Sequence, residues 1–230
     1  MDIIARIYND FNEKFGIPRQ SGIVDEMESH IIFENKYRNP DSVKGLEEYD
    51  YIWLIWGFSE NKISGFKAAV RPPRLGGNIK KGVFATRSSF RPNGLGLSSV
   101  RLLSIEKSSQ GMILKVTGAD LMNGTPIYDI KPYLAYTDSH PEAKCGFADE
   151  AAGYSIEVHI SEELLNIIPE DKRNTFLKIL ENDPRPAYHK DGNRVYGLNY
   201  AGYNIRFMVE DGVLIVKEVE KKEGNAWEMD

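Results

Sequence analysis

Short apolar runs, each ended by turn-forming residues, dominate the first two thirds of this 230-residue chain and most constrain its fold. Their length and alternation predict β-strands, because successive side chains of a strand point to opposite faces and the turns need glycine, proline or asparagine. The predicted strands are Ile3–Tyr8, His30–Glu34, Tyr51–Phe58, Gly82–Thr86, Leu97–Ile105, Met112–Gly118 and Ile127–Tyr133. Many short strands with few helices indicate a mostly β domain, built as a closed or half-closed barrel.

Two further details can be predicted in this region. Asp41 or Ser42 can cap a brief helix that runs to Glu48. The segment Tyr51–Phe58 is apolar at almost every position, which predicts a central strand buried on both faces.

The composition changes at Ala148–Gly153, where small and acidic residues indicate a linker. The predicted elements beyond it are a strand at Tyr154–Ile160, helical sequence from Ser161 to Leu180 interrupted at Pro169, and a hairpin turning at Asp211-Gly212. We therefore expect a β-barrel domain in residues 1–148 and a small α+β domain in residues 149–230.

Several classes of protein are disfavoured by composition and motif. The longest apolar run, Tyr49–Phe58, is too short to cross a membrane, and no secretory signal pattern is visible. The single cysteine, Cys145, excludes an intrachain disulfide and a thiolate zinc site, and the four histidines lack metal-ligand spacing. The segment Gly94–Ser99 lacks the third glycine of a dinucleotide-binding motif. We expect a cytoplasmic protein that holds no metal.

Positive charge is concentrated in one segment, although the chain as a whole carries a net charge of -5. Between Asn61 and Ile105 there is no acidic residue and there are nine Lys or Arg residues. Prolines and glycines fix several of these on stiff turns, where an arginine loses less freedom on binding a phosphate or carboxylate. A solvated basic face is the simpler alternative, but the length of the segment favours an anion-binding surface. The candidate nucleic-acid-binding residues are Arg71, Arg74, Lys80, Lys81 and Arg91.

Two loops contain residues suited to binding a polar small molecule. In the loop Gly16–Gly22, Arg19 and Gln20 can hold a carboxylate and the polar edge of a heterocycle, or the loop can be only a structural turn. In the loop Gly118–Pro126, Asp120 can accept hydrogen bonds from ribose hydroxyls or an amine, although this loop is also a good turn without a ligand.

Three polar side chains follow the second loop on one strand. Asp129, Lys131 and Tyr133 share a face because they are two residues apart. Such a row is usually an ordinary polar face, and it is also suited to transferring a proton.

These motifs together resemble the TrmO (TsaA-like) family of tRNA methyltransferases over nearly the whole chain. The matching blocks are PRQSG at Pro18–Gly22, VRPPRLGGN at Val70–Asn78, GVFATRSSFRPN at Gly82–Asn93, NGTPIYDIKPYL at Asn123–Leu134 and DPRPAYHK at Asp183–Lys190. The resemblance implies a barrel-like homodimer that uses S-adenosylmethionine. The implied substrate is tRNA with a threonylcarbamoyl-modified adenosine just 3′ of the anticodon, which is methylated on N6.

The resemblance also implies roles for individual residues. Carried over by position, the cofactor-binding residues are Pro18, Arg19, Gln20, Phe58, Ser59, Arg87, Leu97, Asp120, Leu121, Gly124 and Thr125. The implied position of Asp129, Lys131 and Tyr133 is beside the methyl acceptor or the tRNA. We hypothesise that Asp129 is the base or orients it, and that Lys131 stabilises negative charge on the carbamoyl oxygen.

Two other functions remain open from the residues alone. One is a cofactor-dependent methyltransferase of a small molecule or protein, and the other is a non-catalytic RNA-binding module. Binding of S-adenosylmethionine and salt-sensitive binding of tRNA would separate them.

Overall fold

The computed structural model describes residues 1–59, 67–75, 78–151, 153–186 and 194–222. Parts of three predicted features lie outside these ranges: the start of the acid-free segment, Gly76-Gly77, and the last four residues of the DPRPAYHK block. The side chain of Arg74, a predicted nucleic-acid contact, also lies outside the described part of the structure.

Strands predominate among the described residues. The strands are β1 (Ala5–Tyr8), β2 (Glu28–Phe33), β3 (Tyr51–Gly57), β4 (Ala69–Val70), β5 (Lys81–Gly82), β6 (Leu95–Ser108), β7 (Gly111–Thr117), β8 (Pro126–Pro132), β9 (Glu157–His159), β10 (Tyr196–Tyr200), β11 (Tyr203–Glu210) and β12 (Val213–Lys221). The helices are α1 (Ala135–Asp138), α2 (Glu162–Leu165) and α3 (Glu170–Glu181). The prediction of a mostly β fold is confirmed.

Six strands form a closed barrel in the order β1-β2-β7-β6-β3-β8. Every neighbouring pair is antiparallel. The ring closes because β1 pairs on both edges, with Ala5 opposite Phe33 of β2 and opposite Ile127 of β8.

The barrel interior takes alternate side chains of each strand, as the period of two requires. In β3, Ile52, Leu54 and Trp56 are buried, whereas Tyr51 is exposed and Trp53 is only partly buried. The expectation that β3 is buried on both faces was therefore wrong. Its outer face is covered only in part, since the Trp53 indole N–H donates to Asp138 of α1 at 2.8 Å while Tyr51 stays exposed.

A β-bulge in β8 changes the pairing beside the end of β3. Ile55 pairs with Asp129 and Trp56 pairs with Ile127, so Tyr128 is an extra residue without a partner on β3. The Tyr128 ring lies against Gly57, where an added Cβ would come within 2.5 Å of the Tyr128 hydroxyl oxygen. Glycine at this position allows the ring to pack there.

The segment before β3 differs from the predicted helix. It forms two 3₁₀ turns, Pro40–Val43 and Leu46–Glu48, separated by Gly45 in a left-handed conformation with φ of 84°. Glycine adopts this conformation without steric cost, and it ends the helical path of the chain. Asn39 caps the first turn, because its side chain accepts a hydrogen bond from the backbone N–H of Asp41.

The predicted strand Gly82–Thr86 was also wrong beyond its first residue. Strand β5 ends at Gly82 on its short ladder with β4, and Val83–Ala85 forms a 3₁₀ turn. Val83 is buried beneath the turn, and the hydroxyl of Thr86 donates to the carbonyl of Val83 at 2.9 Å. This local hydrogen bond favours a turn over a strand.

The C-terminal region contains a second sheet with the order β10-β11-β12-β9 and the helices α2 and α3. Helix α3 begins after Pro169, where the helical sequence was expected to be interrupted. Strand β9 is shorter than predicted, and the hairpin at Asp211-Gly212 joins β11 to β12.

The barrel and the second sheet share one hydrophobic core. Phe11, from the loop between β1 and β2, packs with its ring centroid 5.6 Å from that of Tyr200 in β10. Tyr200 in turn stacks on Phe176 of α3 at 6.2 Å. The same loop carries Pro18 and Gln20, so the second sheet supports one of the predicted ligand-binding segments. The boundary at residue 148 stays a prediction.

Candidate functional site

A pocket of about 240 Å³ opens where β3 ends and β8 begins. Five predicted cofactor-binding residues line it: Pro18, Phe58, Ser59, Asp120 and Thr125. Sequence reasoning missed the other lining residues, which are Lys14, Ile17, Trp56, Gly57, Ser89 and Met122. The barrel therefore brings together four segments that are far apart in the chain, as the sequence predicted for three of them.

Asp120 contributes a largely buried carboxylate to this pocket. The buried indole N–H of Trp56 donates to the Ser98 hydroxyl at 2.9 Å, and that hydroxyl donates to Asp120 Oδ1 at 2.5 Å. Burial raises the pKa of Asp120, while the Ser98 hydrogen bond and the charge of Arg87 act in the opposite direction. The Ser98 hydrogen bond thus fixes the Asp120 carboxylate, which can accept hydrogen bonds from hydroxyl or ammonium groups of a ligand.

Gln20 and Arg87 lie beside the pocket and bind each other. Arg87 Nη1 donates to Gln20 Oε1, and Gln20 Nε2 donates to the carbonyl of Arg19 at 2.5 Å. The charge of Arg87 is close enough to Asp120 to act on its pKa. The interpretation that Arg87 faces the cofactor agrees with this position, and its role stays a prediction.

Arg19 is directed at the C-terminal region. Its Nη2 donates to the carbonyl oxygens of Asp183 and Arg185, at 3.0 and 2.5 Å. Arg19 and Asp183 line a second cavity of about 170 Å³, which shares Lys14, Ile17 and Pro18 with the first pocket. Arg19 therefore anchors the loop through at least part of its guanidinium group.

Leu121, Gly124 and Leu97 lie outside the lining of the main pocket. Leu121 belongs to the hydrophobic core. Gly124 is left-handed with φ of 77°, and its backbone N–H donates to the carbonyl of Ile7 at 2.8 Å. Leu97 is 57% exposed, in line with Ile55 and Asp129 on the outer face of the barrel. Leu121 and Gly124 shape the loop that carries Asp120. Leu97 lies on the outer face of the barrel, away from the lining of the pocket.

Asp129 and Lys131 form an ion pair on this outer face. Their closest oxygen–nitrogen distance is 3.3 Å, and both side chains are about half exposed. Asp129 Oδ1 also accepts the backbone N–H of Ile130 at 3.0 Å. The Tyr133 ring centroid lies 5.5 Å from that of Trp53, so this tyrosine packs along the same face. The structure pairs Asp129 with Lys131 and places Tyr133 further along the same outer face, not in the barrel interior.

Two cation–aromatic pairs occupy the turns of the basic segment. Phe84 is 70% exposed, and the Arg91 guanidinium lies 5.7 Å from its ring centroid. Arg91 Nη1 also donates to the carbonyl of Thr86 at 2.7 Å, which braces the turn. Lys67 Nζ lies 4.7 Å from the ring centroid of Phe90. Phe84 was missed at the sequence level, although an aromatic residue within an acid-free basic turn was a usable signal.

Three other predicted nucleic-acid-binding residues have described side chains that reach the surface. Arg71 and Lys80 are exposed, and Lys81 is partly buried in β5. Within the described ranges, no group of three or more His, Cys, Asp or Glu residues is arranged to hold a metal ion. Across those same ranges, no helix has the length and apolar character needed to cross a membrane.

Comparison with known proteins gives matches over nearly the entire chain. The family model for the N-terminal domain of tRNA-methyltransferase O matches residues 6–139, and the model for the TrmO C-terminal domain matches residues 154–222. The chain is 36% identical over 227 residues to the tRNA (adenine(37)-N6)-methyltransferase of Escherichia coli, covering 95% of this chain and 97% of that protein.

Two further matches come from Pseudomonas aeruginosa. A protein named putative S-adenosylmethionine-dependent methyltransferase RcsF is 38% identical over 203 residues, covering 85% of this chain and 86% of the other. A crystal structure of TrmO superposes with a TM-score of 0.77 at 30% identity, covering 95% of this chain and 94% of that one.

Proposed function

Because this chain belongs to the tRNA-methyltransferase O family, we propose that it uses S-adenosylmethionine to methylate N6 of adenosine 37 in tRNA. The proposed acceptor is the threonylcarbamoyl-modified form of this adenosine, and the proposed location is the cytoplasm. The observation that supports this most is the pocket at the end of the barrel, where a largely buried carboxylate and an aromatic wall lie near the positive charges of Lys14 and Arg87.

The pocket residues fit the proposed cofactor. The rings of Trp56 and Phe58 meet edge to face at 4.4 Å and offer an apolar wall for an adenine. Asp120 can accept hydrogen bonds from ribose hydroxyls or an ammonium group, and its negative charge favours a cationic ligand. Bound S-adenosylmethionine supplies an electrophilic methyl group on a positively charged sulfur.

The ion pair on the outer face suits activation of the acceptor nitrogen. The adenine ring and the carbamoyl group both withdraw electron density from N6, so loss of its proton assists attack. Asp129 is proposed to accept this proton or to orient the group that accepts it. Lys131, 3.3 Å away, is proposed to stabilise the negative charge that develops on the carbamoyl oxygen.

The basic segment suits the anticodon arm of tRNA. Arg71, Lys80, Lys81 and Arg91 are proposed to contact phosphates, with Arg74 assigned from the sequence alone. The exposed rings of Phe84 and Phe90 can each stack on an unpaired base, and an adjacent cation strengthens such stacking.

We propose that the protein is a homodimer, as the family resemblance implies. Exposed apolar side chains on β3 and β6 support this, because Tyr51 and Leu103 both lie at the surface. Covering these side chains with a second copy would remove apolar surface from water. Size-exclusion chromatography with light scattering should give twice the chain mass, and Leu103→Arg should reduce it to the monomer mass. A wild-type monomer at micromolar concentration would contradict this part of the proposal.

The test is incubation of the chain with methyl-labelled S-adenosylmethionine and tRNA from cells with or without the threonylcarbamoyl modification. The expected result is label only in the modified tRNA, released on digestion as an N6-methylated nucleoside. Equal labelling of unmodified tRNA would contradict the proposed acceptor. Binding of the cofactor without labelling any tRNA would favour a small-molecule or protein substrate, and failure to bind it would favour an RNA-binding module.

A further inference from the structure

We infer that Asp183 and Arg185, in the C-terminal region, position the Pro18-Arg19-Gln20 segment at the wall of the main pocket. This inference rests on the proposed function, because that pocket is assigned there to S-adenosylmethionine. It gives the C-terminal region a role in binding the cofactor, although neither residue lines the pocket.

Asp183 and Arg185 form a well-enclosed two-point ion pair. Arg185 Nε donates to Asp183 Oδ1 and Arg185 Nη2 donates to Asp183 Oδ2, both at 2.8 Å. The side chain of Arg185 is only 13% exposed and that of Asp183 only 11%. The hydroxyl of Tyr154 also donates to Asp183 Oδ2 at 3.2 Å. Burial alone would raise the pKa of Asp183, but hydrogen bonds and charge from Arg185 outweigh it and lower the pKa, so the pair is ionised at neutral pH.

The ion pair closes a tight backbone turn. Asp183 has φ of 47°, a left-handed conformation that residues other than glycine adopt only where neighbouring contacts hold it. The Asp183 carboxylate also accepts the backbone N–H of Arg185 at 3.2 Å. The side-chain pair and this backbone hydrogen bond hold the turn together, so breaking the pair loosens the turn.

Arg19 depends on this turn for its acceptors. The carbonyls of Asp183 and Arg185 are separated by a single residue, yet both meet Nη2 of Arg19. Two such carbonyls can both accept from one nitrogen only if the backbone between them is bent. The Asp183–Arg185 ion pair helps to keep it bent. Arg19 thereby ties its loop to the C-terminal region across more than 160 positions of sequence.

The part of the loop at Ile17 and Pro18 lies between two cavities, although Phe15 and Ile17 also pack against the core. Ile17 and Pro18 line both the main pocket and the smaller cavity beside Asp183. A segment with space on both sides has fewer packing contacts to hold it. From Arg19, the contacts continue through its carbonyl to Gln20 and from Gln20 to Arg87, whose charge acts on Asp120.

The test measures the affinity of the full chain for S-adenosylmethionine by calorimetry. Arg185→Met removes the ion pair, and we expect its Kd to rise about tenfold, a mid-range coupling for residues in one hydrogen-bond network. The kcat at saturating cofactor and the KM for tRNA should stay at wild-type values, a pattern that general destabilisation does not produce. Arg206→Met is the matched control, because it breaks the exposed Arg206–Glu218 pair in the second sheet and should leave the Kd unchanged.

A double variant and two milder variants complete the test. Arg19→Met with Arg185→Met should bind the cofactor no more weakly than Arg19→Met alone, since both act through the same contact. If Arg185→Met does not fold, Asp183→Asn and Tyr154→Phe decide, because each weakens the hydrogen bonds to the Asp183 carboxylate and changes the side chains less. A wild-type Kd in the folded variants would overturn the inference.

Hydrogen exchange separates failure of this inference from failure of the proposed function. If the wild-type chain does not bind S-adenosylmethionine, the proposed function fails. The exchange rate of the amides at residues 19–22 still tests the Asp183–Arg185 ion pair. We expect this rate to increase in Arg185→Met, while the exchange rate of the amides in β7 stays the same. Unchanged exchange at residues 19–22 would overturn the positioning role.

Discussion

Replacing Ser98 by alanine should destabilise the protein in a pH-dependent way, because its hydroxyl serves two buried groups at once. It accepts from the indole N–H of Trp56 at 2.9 Å and donates to Asp120 at 2.5 Å. Ser98→Ala leaves the indole donor without this acceptor at every pH. It removes the charge-assisted hydrogen bond only where Asp120 is ionised.

The magnitude follows from these two losses. An unsatisfied buried donor costs about 1 kcal/mol at the low end of the observed range, and a hydrogen bond to a charged group adds about 2 kcal/mol. For a chain of this size each kcal/mol lowers Tm by about 2–4 °C, so the expected loss is about 6–12 °C at pH 8, where Asp120 is ionised, and it falls towards about 2–4 °C as Asp120 becomes protonated at low pH.

The sign of the pH dependence comes from Asp120. Burial raises its pKa above the ordinary value of 3.8, so the wild-type protein loses stability as the pH rises from 3.8 through the raised value. Removing the Ser98 hydrogen bond raises that pKa further and increases the loss at high pH.

Thermal unfolding by circular dichroism at pH 4 and pH 8 measures both losses. Ser104→Ala is the matched control on the same strand, because its hydroxyl donates to the exposed Glu106 side chain at 2.9 Å; it should change the stability little. A loss for Ser98→Ala that is equal at the two pH values would refute the role assigned to Asp120.

Three further predictions concern the site. Asp129→Asn should lower kcat about 10²–10⁴-fold while the Kd for S-adenosylmethionine stays unchanged. A near-normal rate constant for methyl transfer in single-turnover assays would show that Asp129 is not the base. Phe84→Ala should weaken tRNA binding by about 1–3 kcal/mol in fluorescence anisotropy, whereas Phe84→Tyr should retain it; equal affinities for the two variants would exclude stacking. Gly57→Ala should destabilise by about 1–3 kcal/mol in urea unfolding, because the added Cβ meets the Tyr128 ring. Adding Tyr128→Ala to Gly57→Ala should remove most of the extra loss relative to Tyr128→Ala alone, and an unchanged loss would show that this contact is not its cause.

The sequence predicted the barrel strands well because their signal is local. In β8, polar and apolar residues alternate along the chain itself, so the period of two is visible without a structure, whereas β3 is apolar at almost every position and its partly open outer face was not predicted. The segment Gly82–Thr86 was misassigned because its five residues also satisfy a strand pattern. The burial of Val83 and the Thr86 hydrogen bond, which favour the turn, depend on its surroundings.

The site was predictable as a set of segments and not as a set of contacts. Pro18, Phe58 and Asp120 were assigned through resemblance, and they do line one pocket. The support of Asp120 by Ser98, and the attachment of Arg19 to Asp183, depend on strand register and on packing between distant parts of the chain. Nothing in the local pattern around Ser98 or Arg19 encodes those partners.

The double pairing of β1 has a consequence for how the chain folds during synthesis. Ala5 must wait for Ile127 before the barrel can close, and at about 5–20 residues per second that wait is about 6–24 s. Until then, the edge of β1 that will pair with β8 is open to pairing with another nascent chain. The four-residue length of β1 and the charge of Arg6 oppose such pairing. These features therefore reduce the risk of aggregation before the barrel closes, in addition to serving the native state.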